Sequence, residues 1–174
     1  DSVLTTPEYQ PSVKIDMKKK LFPDDYLYLN DTLFIAIIIE PIGNNDYKPS
    51  VARWNMATGE INPMPYEYPD LKKVRFIYAA SAEHQLYVQC YTQYDLMTIC
   101  DFNGNLKCNI YGPKWVNEKT QTQHYSLGVE FCGDKILALY SGGDHRTDAY
   151  YPTKFLVFDL NGNYLKTLET GYMI

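Results

Sequence analysis

A short phrase is written twice in this chain, as Cys100-Asp101-Phe102-Asn103-Gly104-Asn105-Leu106 and as Phe158-Asp159-Leu160-Asn161-Gly162-Asn163-Tyr164-Leu165. A looser copy stands upstream as Trp54-Asn55-Met56-Ala57-Thr58-Gly59-Glu60-Ile61. Each reads as a strand, a tight turn and a second strand, because Gly supplies the positive φ that short hairpin connections need. A hairpin that recurs about every 50 residues marks a modular array of β units.

A second phrase recurs with the first. Asn30-Asp31-Thr32-Leu33-Phe34-Ile35, Glu83-His84-Gln85-Leu86-Tyr87-Val88 and Gly133-Asp134-Lys135-Ile136-Leu137-Ala138 each join a polar turn to an apolar strand. Together the two series define three units of four antiparallel strands. The first holds expected strands at 26–29, 33–39, 51–56 and 60–64. The second holds 75–80, 86–91, 96–102 and 105–111. The third holds 125–131, 136–140, 154–160 and 163–169. The units then span 26–64, 75–111 and 123–169, after an N-terminal segment 1–25. The 17 Tyr of the chain suit pleated, half-buried surfaces. Pro63, Pro65, Pro69 and Pro113 fall in or beside the connectors between units, where no ladder donor is needed.

Four-stranded units of this length, joined end to end, are blades of a β-propeller, so the expected fold class is all-β with about three blades present. The Asp-x-Asn-Gly-Asn turns, with a third strand ending Phe155-Leu156-Val157-Phe158-Asp159, resemble the six-bladed propellers of the TolB-like and NHL-like group. They are particularly similar to the uncharacterised, Tyr-rich exported propellers of Bacteroidetes. The resemblance covers roughly residues 26–169 and concerns architecture more than activity. It implies that the chain supplies half of a six-bladed ring, and that it works outside the cytoplasm, in the periplasm or at the cell surface.

Three blades do not close a ring, since propellers have about four to eight. The leading expectation is that the remaining blades come from the same longer chain. A second copy is the next, and a fourth, irregular blade from residues 1–25 is the third, with 11–17 as a lone strand completing a neighbouring blade. Residue 1 is Asp. The amino terminus is therefore expected to be processed, engineered or cut, and the lack of an export signal is uninformative.

Charge and hydropathy narrow the partners. A net charge of −5 argues against nucleic acid, because phosphate binding needs a concentrated positive face. The basic run Lys18-Lys19-Lys20 reads as a solvated strand end. The apolar run 33–39 is far shorter than the roughly 20 residues that span a bilayer, so no transmembrane helix is expected. Cys90, Cys100, Cys108 and Cys132 form no Cys-x-x-Cys pair. A two-residue turn at Asn103-Gly104 would set Cys100 opposite Lys107 and Cys108 opposite Ile99. That disfavours a cross-strand disulfide and leaves buried free thiols.

Propeller topology sends the loops between second and third strands, and the connectors between units, to one face. Length variation concentrates there, at 40–50, 92–95 and 141–153 and at 65–74 and 112–124. Variable loops on a rigid scaffold are where binding usually sits. The ligand-binding residues expected are Tyr47, Trp115, His145, Arg146 and Tyr150, because aromatic rings beside carboxylates and a guanidinium suit a sugar or peptide. The function expected is a non-catalytic binding propeller, with a small molecule, glycan or protein as partner. The alternative is a lyase or hydrolase acting on carbohydrate or peptide, with His145 or His124 as base or metal ligand. No cofactor and no metal are expected: two His do not make the usual three-ligand catalytic set. The Gly of each Asp-x-Asn-Gly-Asn turn comes fourth, whereas a calcium-binding EF loop places it sixth. No nucleophile elbow, phosphate loop or dinucleotide fingerprint is present. His84, in a turn on the opposite face, reads as solvated.

Overall fold

The computed structural model describes residues 21–43, 46–69, 71 and 74–174. The lone strand expected at 11–17 and the basic run Lys18-Lys19-Lys20 lie outside these residues. Twelve strands among the described residues form three four-stranded antiparallel sheets, each a meander in which sequence neighbours pair. The first sheet holds β1 (Phe22–Tyr28), β2 (Leu33–Gly43), β3 (Asp46–Asn55) and β4 (Glu60–Pro63). The second holds β5 (Phe76–Ser81), β6 (Leu86–Tyr91), β7 (Leu96–Asp101) and β8 (Leu106–Tyr111). The third holds β9 (Thr122–Cys132), β10 (Lys135–Asp144), β11 (Lys154–Asp159) and β12 (Tyr164–Glu169). The chain is thus all-β, built of three propeller blades.

The repeated phrases are carboxylate-capped turns. Asp101 Oδ1 accepts from the backbone N–H of Asn103 at 2.8 Å and of Asn105 at 2.9 Å, while Asn105 Nδ2 donates to Asp101 Oδ2 at 2.8 Å. Asp159 repeats the three bonds with Asn161 and Asn163 at the same distances. Asn55 plays the same part in the looser copy, accepting from Ala57 N and Thr58 N. The cap changes the expected register by one residue. Cys100 faces Leu106 rather than Lys107, with a shift before the Ile99–Cys108 pair, because the Asp side chain wraps a longer turn than Asn103-Gly104 alone. All four cysteines are free thiols. Cys90 and Cys100 are buried, Cys108 is half-buried, and Cys132 is exposed at the end of β9, contrary to the expectation of burial for all four. Burial pushes the Cys100 thiol up to about 11, so it behaves as a small hydrophobe.

Two apolar layers join the three sheets. Ile35 and Val51 of the first sheet meet Tyr78, Tyr87, Cys100 and Phe102 of the second. Val88, Cys90, Met97 and Ile99 on the other face of the second sheet meet Tyr125, Val129, Ile136 and Phe158 of the third. Each fully buried side chain of this size contributes about 1.5–3 kcal/mol relative to exposure. On the turn face, His84 is less solvated than its sequence position implies: its Nε2 lies 2.8 Å from the carbonyl of Gly133 and ties the first turn of the second sheet to that of the third.

Two expected loops are partly strand. Most of 40–50 belongs to β2 and β3, whose hairpin closes at Gly43, with φ +121°, opposite Asp46. The start of 141–153 belongs to β10, which runs on to Asp144. Polar residues there hid the ends of central strands, which go on pairing through register shifts.

Candidate functional site

The outer strand of the first sheet stops early. β4 pairs with β3 only from Asn55↔Glu60 to Ala52↔Pro63, whereas β8 and β12 accompany their neighbours to the start of β7 and β11. Pro63 and Pro65 flank Met64, whose N–H donates to Val51 O at 2.8 Å as the last link to β3. Proline lacks the donor that would continue the ladder. The chain then leaves β3 and climbs the second sheet. Pro65 lies over the turn at Gly104, where an added Cβ would stand 2.2 Å from the proline ring. Tyr66 Oη accepts from Asn109 Nδ2 at 2.8 Å, and Tyr68 Oη lies 3.3 Å from Tyr111 Oη.

This departure opens a groove of about 420 Å³ between the first and second sheets. Its apolar wall is aromatic: Tyr66 and Tyr68 from the connector, Phe76 and Tyr91 from the second sheet, and Tyr47 from β3. Asp46, Lys48, Glu67 and Gln89 supply polar groups. Lys48 and Glu67 pair with each other across the groove's rim. Tyr66 is fixed from behind, since the Asn109 that donates to it accepts from Thr98 Oγ1 at 2.7 Å. Phe76 and Tyr91 stand edge to face, with centroids 6.0 Å apart. Burial raises the pKa of the Tyr91 hydroxyl and keeps it a neutral hydrogen-bonding group. Fixed rings and neutral hydroxyls can stack on and hydrogen-bond a polar, uncharged ligand.

The sequence-expected residues divide into two sets. Tyr47 lines the groove and is 43 % exposed. Trp115 stands behind its far wall, 5.7 Å from Tyr68, 5.1 Å from Tyr111 and 6.3 Å from Tyr94 between ring centroids, so Tyr68 links the two. His145, Arg146 and Tyr150 belong to the β10–β11 loop of the third sheet. The His145 N–H donates to Gln121 O, and its Nδ1 also lies 2.9 Å from that carbonyl. Arg146 is clamped on Asp144, through Nε at 3.0 Å and Nη2 at 2.6 Å, and this holds the Asp144 carboxyl well below the usual carboxylate range. Tyr150 stacks on Tyr151 at 4.2 Å. Lys114, next to Trp115, reaches this loop through Nζ to Gly142 O at 3.1 Å. Loops and connectors are further tied by Gly112 N to Asp95 O, Thr120 N to Gln93 O and His124 N to Thr92 O.

Sequence reasoning missed Tyr66, Tyr68, Phe76 and Tyr91. Among 17 tyrosines and seven phenylalanines nothing local distinguishes them. The signal available was the run of prolines at 63, 65 and 69, which marks where the outer strand ends.

His124 does meet an acid, but inside the protein. Its Nδ1 lies 3.6 Å from Asp95 Oδ1 and 3.2 Å from Tyr140 Oη, and both His124 and Asp95 are 1 % exposed. Among the described residues, no group of three His, Cys, Asp or Glu side chains is placed to hold a metal ion.

The chain matches no described protein family and no curated protein sequence. Among solved structures it is similar to a chain of the crystal structure of a nidogen/laminin complex, at 12 % identity and a TM-score of 0.49. The similarity covers 80 % of this chain and 43 % of that one, so the chain spans less than half the length of the structure it matches.

Proposed function

We propose that the chain is a non-catalytic, carbohydrate-binding part of a six-bladed propeller of the TolB-like and NHL-like kind, working outside the cytoplasm as the similar Bacteroidetes propellers do. The aromatic groove between the first and second sheets carries the reading. Sugar rings present apolar C–H faces to aromatic side chains and hydroxyls to carboxylates and amides. Tyr47 and Tyr68 provide such faces at an accessible depth, with Asp46 and Gln89 as hydrogen-bonding partners. The pairing of Lys48 with Glu67 leaves the rim locally neutral, which favours an uncharged saccharide over an anionic one. The hydrolase or lyase reading draws nothing from His124, which is enclosed, or from His145, which is engaged with Gln121. The test is calorimetric titration of the chain with neutral oligosaccharides, run beside a Tyr47→Ala variant. Saturable heat that the substitution abolishes or weakens supports the reading. No binding across neutral hexose and pentose oligomers overturns it.

A further inference from the structure

The second sheet carries a polar row where the other two sheets carry small or apolar side chains. Tyr78, Gln89, Thr98 and Asn109 stand side by side across its four strands. Along β6, Val88 and Cys90 pack toward the third sheet, while Gln89 and Tyr91 turn to the groove against the first. The hairpin caps fix the equivalent positions elsewhere, since Trp54, Cys100 and Phe158 each precede the capping Asn or Asp. Two residues back from these stand Ala52, Thr98 and Leu156. Their partners on the adjoining strand are Ala36, Gln89 and Ala138. Where the first and third sheets bury alanine, the second buries a carboxamide. A buried polar group costs free energy unless it is hydrogen-bonded.

The rest of the row is satisfied within the protein. Tyr78 Oη donates to Ile35 O at 3.5 Å, Thr98 Oγ1 to Asn109 Oδ1 at 2.7 Å and Asn109 Nδ2 to Tyr66 Oη at 2.8 Å. Gln89 is different. It is 6 % exposed, yet its carboxamide has no hydrogen-bond partner among the described residues, and it lines the groove. The Tyr66 hydroxyl is used only as an acceptor, so its proton is left to donate, and Tyr66 lines the same groove. An unpaired amide and an unused O–H therefore face one cavity.

We infer that Gln89 selects the ligand of this groove by pairing its carboxamide with two adjacent hydroxyls of a sugar ring, while Tyr66 donates to a third ligand oxygen. The inference rests on the carbohydrate reading above and adds the chemistry the site demands of the sugar. A carboxamide holds a donor and an acceptor side by side in one plane. Neighbouring ring hydroxyls, each both donor and acceptor, match the two at once. No charged side chain stands in the row, so an anion finds no counter-charge there. A wholly apolar ligand would leave the amide buried and unpaired. A site built to hydrogen-bond a hydroxyl rejects the analogue that lacks it far more strongly than an apolar pocket rejects a missing methylene. The preferred ligands are thus neutral sugars with an unsubstituted pair of adjacent hydroxyls.

The experiment compares the wild type with Gln89→Met, which keeps the length of the side chain and removes both hydrogen-bonding groups. Cellotriose, maltotriose and xylotriose are the calorimetric probes, and thermal melts are run on the free proteins. Because the wild-type amide is buried without a partner, Gln89→Met is expected to melt roughly 2–4 °C higher. The same variant is expected to bind the probe that the wild type binds about tenfold or more weakly, through loss of two hydrogen bonds. A side chain that serves the fold alone does not give these opposite signs. Monodeoxy versions of the bound probe complete the test: omitting either hydroxyl of one adjacent pair weakens the wild type and leaves Gln89→Met unchanged. A variant that melts below the wild type overturns the inference, as does a wild type indifferent to every deoxy probe. Unchanged affinity in Gln89→Met beside a loss in Tyr47→Ala also overturns it, and leaves the carbohydrate reading standing. If no probe binds the wild type, both fall.

Discussion

The imidazole of His124 lies 3.6 Å from the carboxylate of Asp95, and the pair bridges the second sheet's β6–β7 loop and the first strand of the third. Neither is exposed to more than 1 %. Asp95 Oδ2 accepts from the Lys114 N–H at 2.9 Å, while Asp95 Oδ1 and His124 Nε2 have no hydrogen-bond partner among the described residues. Burial is the main cause that lowers the His124 pKa. Lys114 adds to it and Asp95 opposes it.

That direction fixes a pH dependence. The unfolded chain takes a proton on this imidazole near 6.5, while the folded chain resists it until lower pH. The contribution to stability is therefore fully present above about pH 6.5 and is lost as pH falls from there through the folded pKa. The urea midpoint should drop between pH 7.5 and pH 5. A His124→Asn variant, although less stable at pH 7.5, should show a flatter profile over that window. A variant profile parallel to the wild type would remove His124 as the cause.

Gly112 is the packing partner of the same carboxylate. Its N–H donates to Asp95 O at 2.8 Å, and a Cβ added there would stand 2.1 Å from the Asp95 carboxylate. Gly112→Ala must displace a buried, hydrogen-bonded side chain, at a cost of about 1–3 kcal/mol. At about 2–4 °C per kcal/mol for a chain of this size, the melting temperature should fall by several degrees. Gly171→Ala is a poor control because Gly171 has φ +75°. An exposed Glu118→Ala change in the β8–β9 connector serves better, and equal melting of both variants would contradict the clash.

The blades were legible because their signal is local. Asp101 and Asp159 reach residues two and four positions on, so the phrase itself contains the whole hydrogen-bonded turn. The groove was only half legible. Tyr47 stood out as an aromatic residue beside an acid, but Tyr66 and Tyr68 reach the site only because the connector leaves β3 and leans on β8, and Tyr91 comes to it from β6 of the next sheet. The Asp95–His124 contact was not legible at all. The two residues are 29 positions apart, and only the packing of one sheet on the next brings them together. Arg146 and Tyr150 carried the right chemistry for a ligand, yet Asp144 and Tyr151 beside them engage the same groups.

Tyr47 separates binding from folding. It is 43 % exposed at the groove's rim, so Tyr47→Ala should change stability by no more than about 0.5 kcal/mol. One lost stacking contact, about 0.5–1.5 kcal/mol, should weaken a bound neutral oligosaccharide by up to about tenfold. Tyr68→Ala should do both, because Tyr68 also holds Tyr111 and Trp115. Calorimetry for affinity and thermal melts for stability check the split. Loss of stability in Tyr47→Ala matching that of Tyr68→Ala would show that Tyr47 is structural.

The capped hairpins give the last test. Hydrogen bonds from Asn105, side chain first and then main chain, lower the Asp101 carboxyl pKa. Asp159 is lowered in the same way by Asn163. Asp101→Asn keeps one carbonyl oxygen for the Asn103 and Asn105 N–H groups but sets its own NH2 against Asn105 Nδ2, and should melt below the wild type. Asp101→Ala removes both acceptors and should fall further. For the wild type, a lowered carboxyl pKa means that the turn's contribution is present above the unfolded value near 3.9 and is lost as pH falls below it through the folded value. Melts at pH 4.5 and pH 2.5 should therefore converge for wild type and Asp101→Ala at the lower pH. A gap that stays constant between the two would show that the carboxylate form is not what holds the turn.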